Sequence, residues 1–218
     1  MTSAKETVFA EIAESEATGR TREIYDDFKA SIGLPMVNLV YRHMATTPGC
    51  LEWAWGLLRP LFVSSAMADE AAHLVAGLSI GDPAPITREM LREAAIDASA
   101  ERAIVETIEA YDRANPMNLI AMAVLAVELE DGAEGEGEAP PGTVSSSLPA
   151  ATTLPPLADV RTLPEETRAV LATLAAQAGI GGSSVIPTLY LHLTDWPGFL
   201  DIAAAAVAPL VDDGRLGQ

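Results

Sequence analysis

Three histidines, one cysteine and one arginine in an apolar stretch are the residues whose types and neighbours could do chemistry. His43 and His192 each stand two positions after a tyrosine, Tyr41 and Tyr190. A sheltered histidine can take a proton at neutral pH, so two Tyr-x-His pairs could line a pocket that holds a general base. The pairs equally read as packing residues whose polar tips cap neighbouring backbone. Arg42 follows Asn38 by one helical turn. Its planar fork suits the carboxylate of a small organic acid, or else a salt bridge to one of the chain's 31 acidic residues. His73 stands four after Asp69, enough for two ligands on one helix face. No third ligand follows at a recognised spacing, so no metal is expected and a solvated face is the alternative. Cys50 reads as a first-turn thiol whose pKa a helix dipole would lower, or as a buried structural thiol. Trp53 and Trp55 point different ways on a helix, one for a core and one for an interface. There is no G-x-S-x-G, phosphate-binding loop or dinucleotide fingerprint, and no cofactor is expected.

Helices are the elements that must position these residues. Ile24, Phe28 and Ile32 form an apolar stripe over residues 20–31, which Gly33-Leu34-Pro35 breaks. Met36, Val37, Val40 and Met44 begin a second stripe. Thr47-Pro48 reads as a cap and first turn, and Pro60 as an interruption. Helices are expected over 61–78, 86–95 and 99–113. Asn115-Pro116 then repeats the cap-then-proline start for a helix over 116–130. Thr162-Leu163-Pro164-Glu165 resembles a capping box opening a helix over 163–178, and the glycines from Gly179 to Gly182 end it.

Between Asp131 and Leu157 lie four glycines, five prolines and three consecutive serines, with an acidic run and no period. This reads as a linker between two units, residues 1–130 and 158–218. The units are related. Sliding residues 33–61 onto 182–210 gives nine identities in 29 positions, among them Tyr41/Tyr190, His43/His192, Pro48/Pro197 and Gly49/Gly198. A duplication implies two helical units about a pseudo-twofold axis, the second truncated.

Composition bounds the rest. The 218 residues are 49% apolar but only 5% aromatic, an aliphatic palette that favours helices over a β-sandwich. The formal charge of −18 repels phosphate backbones and anionic membranes, which excludes a nucleic-acid partner. No run approaches the roughly 18 apolar residues of a membrane span. Glu6, Glu11, Glu14 and Glu16 are wrong for a targeting peptide, so a cytoplasmic protein is expected.

The segments Ala-Thr-Thr-Pro-Gly (45–49) and Asp-Trp-Pro-Gly (195–198) resemble the group I 2-haloacid dehalogenase family. So do Ile80-Gly81-Asp82-Pro83 and Tyr111-Asp112-Arg113-Ala114-Asn115-Pro116, and the resemblance runs from Ile24 to Val211. It implies an all-helical tandem repeat with its site between the repeats. A carboxylate there activates the water that displaces halide from a short 2-haloacid. The family's Ser-Asp-aromatic triplet falls on Thr188-Leu189-Tyr190, which puts Leu189 at the position of the essential acid. The pocket-lining aromatic positions of the first repeat fall on Met36 and Leu39.

An all-α fold follows, with two functional readings. One is a family member that keeps the pocket for a small organic acid or apolar ligand and has lost catalysis. The other is an active hydrolase with a rearranged base, Asp195 or His192, and with Arg42 and Thr188 holding the carboxylate. A homodimer is also expected. Helix 197–211 carries Phe199, Leu200, Ile202, Val207, Leu210 and Val211, each forgoing about 1.5–3 kcal/mol if left in water. The second repeat has no helices of its own to cover them.

Overall fold

The apolar stripe of Ile24, Phe28 and Ile32 becomes the buried side of α1 (Gly19–Ile32). Gly33 closes the helix at φ 72°, and its N–H returns to the Lys29 carbonyl at 2.9 Å. In this computed structural model the described residues are 10–64, 66–79, 83–131, 153–180 and 186–212. They are helical, with no β-strand among them. Most of the 131–157 linker, and the segments around Gly81 and Gly182, lie outside them. None of the described helices is long and apolar enough to cross a membrane.

After α1 come α2 (Leu39–Met44), α3 (Cys50–Val63), α4 (Ala66–Gly77), α5 (Arg88–Glu93) and α6 (Ala98–Asp131). Beyond the linker a short turn, Val160–Thr162, leads into α7 (Glu165–Ala175). A wider turn, Ala176–Ile180, ends α7, with Gly179 at φ 77°. The short α8 (Thr188–His192) and the longer α9 (Pro197–Asp212) follow.

Four expected helix starts differ. α3 runs through Pro60 to Val63, so the helix expected from 61 begins at Ala66. α3 begins at Cys50 rather than Pro48, because Gly49 holds the cap position at φ 80°, outside helical space. The expected break at Asn115-Pro116 does not occur, and α6 runs through it for 34 residues. Ile104, Thr107, Ala110, Tyr111, Ala114, Met117, Ala121 and Leu125 are buried at helical spacing along its length. That continuous stripe outweighs the hydrogen bond Pro116 cannot donate, a loss of about 3 kcal/mol in a helix interior. Thr162 makes no capping box. Its hydroxyl donates to the Asp159 carbonyl at 2.8 Å, and Pro164 stands at the cap of α7.

By their contacts the residues form two compact units. The Tyr41 unit contains Thr7–Gly77 and Asp112–Thr153. Phe28 is at its aromatic centre, 4.4 Å from Tyr41, 5.5 Å from Trp55 and 6.1 Å from Phe62 between ring centroids. Trp55 is buried, and its indole N–H donates to Asp27 at 2.8 Å; Trp53 is exposed. The His192 unit contains Leu78–Tyr111 and the residues from Leu154 onward. Its core joins Ile104, Leu171, Leu174, Leu191, Leu193, Phe199 and Leu200. Units and sequence repeats thus divide the chain differently, since residues 78–111 group with the segment beyond the linker.

This grouping covers the C-terminal helix. Phe199, Leu200, Ile202 and Leu210 are buried within a single chain, and Val207 and Val211 are half-buried. Leu91, Ile96 and Ile104 supply the cover that the second repeat lacks in sequence. The expected homodimer therefore loses the exposed surface on which it rested.

Candidate functional site

α8 is one and a half turns of Thr-Leu-Tyr-Leu-His opened by Pro187, whose ring suits a helix start. It places Thr188, Tyr190 and His192 on one short element of the His192 unit. The His192 imidazole is buried, and its Nδ1 lies 2.6 Å from the Pro155 carbonyl. A carbonyl only accepts, so Nδ1 carries the proton and donates, leaving Nε2 with a bare lone pair. That Nε2 is buried and has no hydrogen-bond partner. Burial pushes the pKa of His192 below the ordinary histidine value, against a smaller opposing effect of the carbonyl. The ring is therefore neutral at pH 7.

The Tyr111 ring lies 5.9 Å from that imidazole, and its hydroxyl donates to Thr188 Oγ1 at 3.0 Å. Thr188 thus keeps its own O–H to offer elsewhere. Tyr190 is half-buried, and burial pushes its phenol pKa upward. Leu189 packs against the apolar core of the unit. Asp195 is exposed in the turn between α8 and α9.

The other predicted residues belong to the Tyr41 unit. Met36, Asn38 and Leu39 are half-buried at the entry to α2, and Asn38 Oδ1 is buried without a hydrogen-bond partner. Arg42, expected to grip a ligand carboxylate or to form a salt bridge, does the second, with Nε 3.1 Å from Glu11. Tyr41 is fully buried and donates to Asn118 Oδ1 at 3.2 Å; burial drives its phenol pKa well upward. His43 Nδ1 meets the Ala10 carbonyl at 2.7 Å. Each repeat histidine therefore fastens a stretch of backbone that precedes its own repeat's helices, the polar-tip role anticipated for these pairs.

His73 is exposed on α4 with Nδ1 4.0 Å from Glu70, not from Asp69. No group of three metal-ligating side chains occurs among the described residues. Cys50 is half-buried and free in the first turn of α3. The sequence offered Glu11, Glu14 and Glu16 only as evidence against a targeting peptide, although Glu14 accepts from the Val37 N–H at 2.8 Å and from Lys29 at 2.9 Å. Its only signal was the acid spacing, which the overall acidity of the chain obscures.

No protein-family model matches the chain. The chain is 33% identical over 96 residues to an (R)-2-haloacid dehalogenase of Pseudomonas putida, covering 42% of this chain and 31% of that protein. It is 24% identical over 206 residues to a configuration-inverting 2-haloacid dehalogenase of Alcaligenes xylosoxydans xylosoxydans, covering 91% and 68%. The chain thus spans about a third of the first relative's length and two thirds of the second's. Among solved structures, a D-2-haloacid dehalogenase mutant in complex with D-2-CPA superposes with a TM-score of 0.76 at 20% identity, over 96% of this chain and 73% of that one. The complex of D-2-haloacid dehalogenase with L-LA gives the same values. The all-helical architecture is that of these neighbours.

Proposed function

We propose that this chain, a relative of the group I 2-haloacid dehalogenases, binds small 2-substituted carboxylic acids at α8 without displacing halide through an activating carboxylate. One observation carries the reading. Leu189, which the resemblance puts at the position of the family's acid, is half-buried and packs against apolar core, where a charged group would be costly. Asp195 stands in water, where nothing holds it against a substrate. Thr188 supports the binding half of the proposal. Its oxygen is occupied by Tyr111, and its proton is free for a carboxylate.

A second reading rests on His192. Its Nε2 lone pair is buried, unpartnered and neutral at pH 7, as a base that takes a proton from water must be. Incubation with both enantiomers of 2-chloropropionate at pH 7–10, with chloride release followed beside calorimetric binding, separates the two. Saturable binding with chloride release at the level of the blank is expected. Release that disappears in His192→Gln installs the second reading instead. Absence of both binding and release overturns both.

A further inference from the structure

We infer that the face of α3 formed by Cys50, Trp53, Leu57 and Leu61 docks an amphipathic segment of a separate polypeptide, built like residues 84–104 of this chain. The four residues stand three and four apart and share one side of the helix. The sequence match of 33–61 with 182–210 sets them against Phe199, Ile202, Ala206 and Leu210 of α9. Those four are all buried, Ile202 with 8% of its surface exposed. In α3 none of the four is buried. Trp53 is 36% exposed, and Cys50, Leu57 and Leu61 are half-buried. The side that α3 turns to its own core is closed, with Leu51, Trp55, Leu58 and Phe62 all buried. What α3 lacks, relative to α9, is cover over one apolar stripe.

The cover over α9 is visible, and it defines the chemistry of an occupant for α3. The Ala84 N–H donates to the Ala206 carbonyl at 3.3 Å, at the position that matches Leu57. At Gly198 a Cβ would come within 2.9 Å of the Ala94 side chain, so the end of α5 lies directly on the start of α9. At Gly49, the matching position, nothing stands within 4 Å of the same point. Leu91, Ile96 and Ile104 complete the cover by joining the core of Phe199 and Leu200. The occupant is therefore two helical turns with an aliphatic inner face and a small residue at the bend, where it meets Gly49. Trp53 offers it a large, rigid ring, the residue type enriched at the centre of protein interfaces. The formal charge of −18 disfavours an acidic occupant and favours basic residues at its rim. A second copy of this chain does not serve, because its own 84–104 is engaged on its own α9. The surface shares no residue with α8.

Cys50 is the chain's single cysteine, so its rate of modification by a thiol reagent reports on this face alone. The test titrates the full chain with a synthetic peptide of residues 84–104. Within the chain that sequence already holds α9, which leaves α3 as the vacant face. Modification of Cys50 should slow saturably. A peptide carrying Leu91→Lys and Ile96→Lys should give no protection, and one carrying Glu93→Lys should protect at lower concentration in low salt. Trp53→Lys in the chain should raise the peptide concentration needed at least about tenfold, the loss typical of a central aromatic contact. The altered peptides probe the unaltered chain, so the proposal stays testable should Trp53→Lys fail to fold. No saturable protection, equal protection by the Leu91→Lys, Ile96→Lys peptide, or full protection in Trp53→Lys would each overturn the proposal. Slowing that follows the concentration of the chain alone, with a doubled mass in light scattering, would assign the face to a second copy and overturn it as well.

Discussion

At the scale of single residues, protonation decides how the two units respond to acid. His192 has a folded-state pKa below its unfolded one, so acid protonates the unfolded chain first and favours it. Stability contributed by the neutral ring is complete above pH 6.5 and is lost as pH falls from there toward the folded value. The melting temperature of the native chain should drop as pH falls below 6.5. In His192→Gln, whose amide can still donate to the Pro155 carbonyl, that slope should flatten. Asp27 works in a lower window. Hydrogen bonds from Arg59, with a smaller one from Trp55, hold its carboxyl below the usual 3.8, so its contribution is present above that pH and fails only beneath it. Thermal melts by circular dichroism should therefore show two separate acid-sensitive ranges, and Asp27→Asn should remove only the lower. Backbone capping was one of the two readings the sequence left open for His43 and His192. Sequence alone could not name the carbonyls, which lie 33 and 37 positions away.

At the scale of elements, like letters at repeat-equivalent positions answer to unlike causes. Gly49 has φ 80° and open space where a Cβ would stand, so its constraint is conformational. Gly198 has an ordinary backbone, but a Cβ there would come within 2.9 Å of the Ala94 side chain and 3.1 Å of its carbonyl. Asparagine, which tolerates left-handed backbone, should be accepted at 49 and rejected at 198. Gly198→Ala should cost about 1–3 kcal/mol by urea denaturation, the usual penalty of forcing volume into packed structure. α6 carries a second prediction. Pro116→Ala restores an N–H and removes a ring clash, and it should stabilise the chain by about 1–2 kcal/mol after the gain in unfolded-state freedom is subtracted. The stripes of α1 and α3 were legible because local periodicity alone specifies them. The continuity of α6 was not, because Asn115-Pro116 is locally a good helix start and only non-local burial overrules it.

For the whole molecule, the decisive contacts join residues far apart in sequence. Ile104 shares a core with Leu200, and Leu91 packs against that core, an association that neither composition nor the repeat could disclose. The site was legible only in part for the same reason. The residues of α8 stood out by resemblance, whereas Arg42 reaches Glu11 in a segment that carries no periodic pattern. With Phe199, Leu200, Ile202 and Leu210 buried inside one chain, α9 offers little to a second copy. Light scattering at micromolar concentration should return a mass near 22.9 kDa that does not change on dilution. Leu200→Ala, at a fully buried position, should cost about 2–5 kcal/mol and report on the His192 unit alone.

Among the described residues the chain enters each unit twice, leaving the Tyr41 unit after Gly77, returning at Asp112 and passing to the His192 unit again from Leu154. Neither unit is therefore a cassette that a single cut could release. During synthesis the Tyr41 unit has all its described helices once residue 131 has left the ribosome. By then α5 and the first half of α6 have also emerged, but α7, α8 and α9 do not yet exist. Until those helices arrive, Leu91, Ile96 and Ile104 have no core to join, and the nascent chain passes through a stage in which half of it is finished and a stretch in its middle waits.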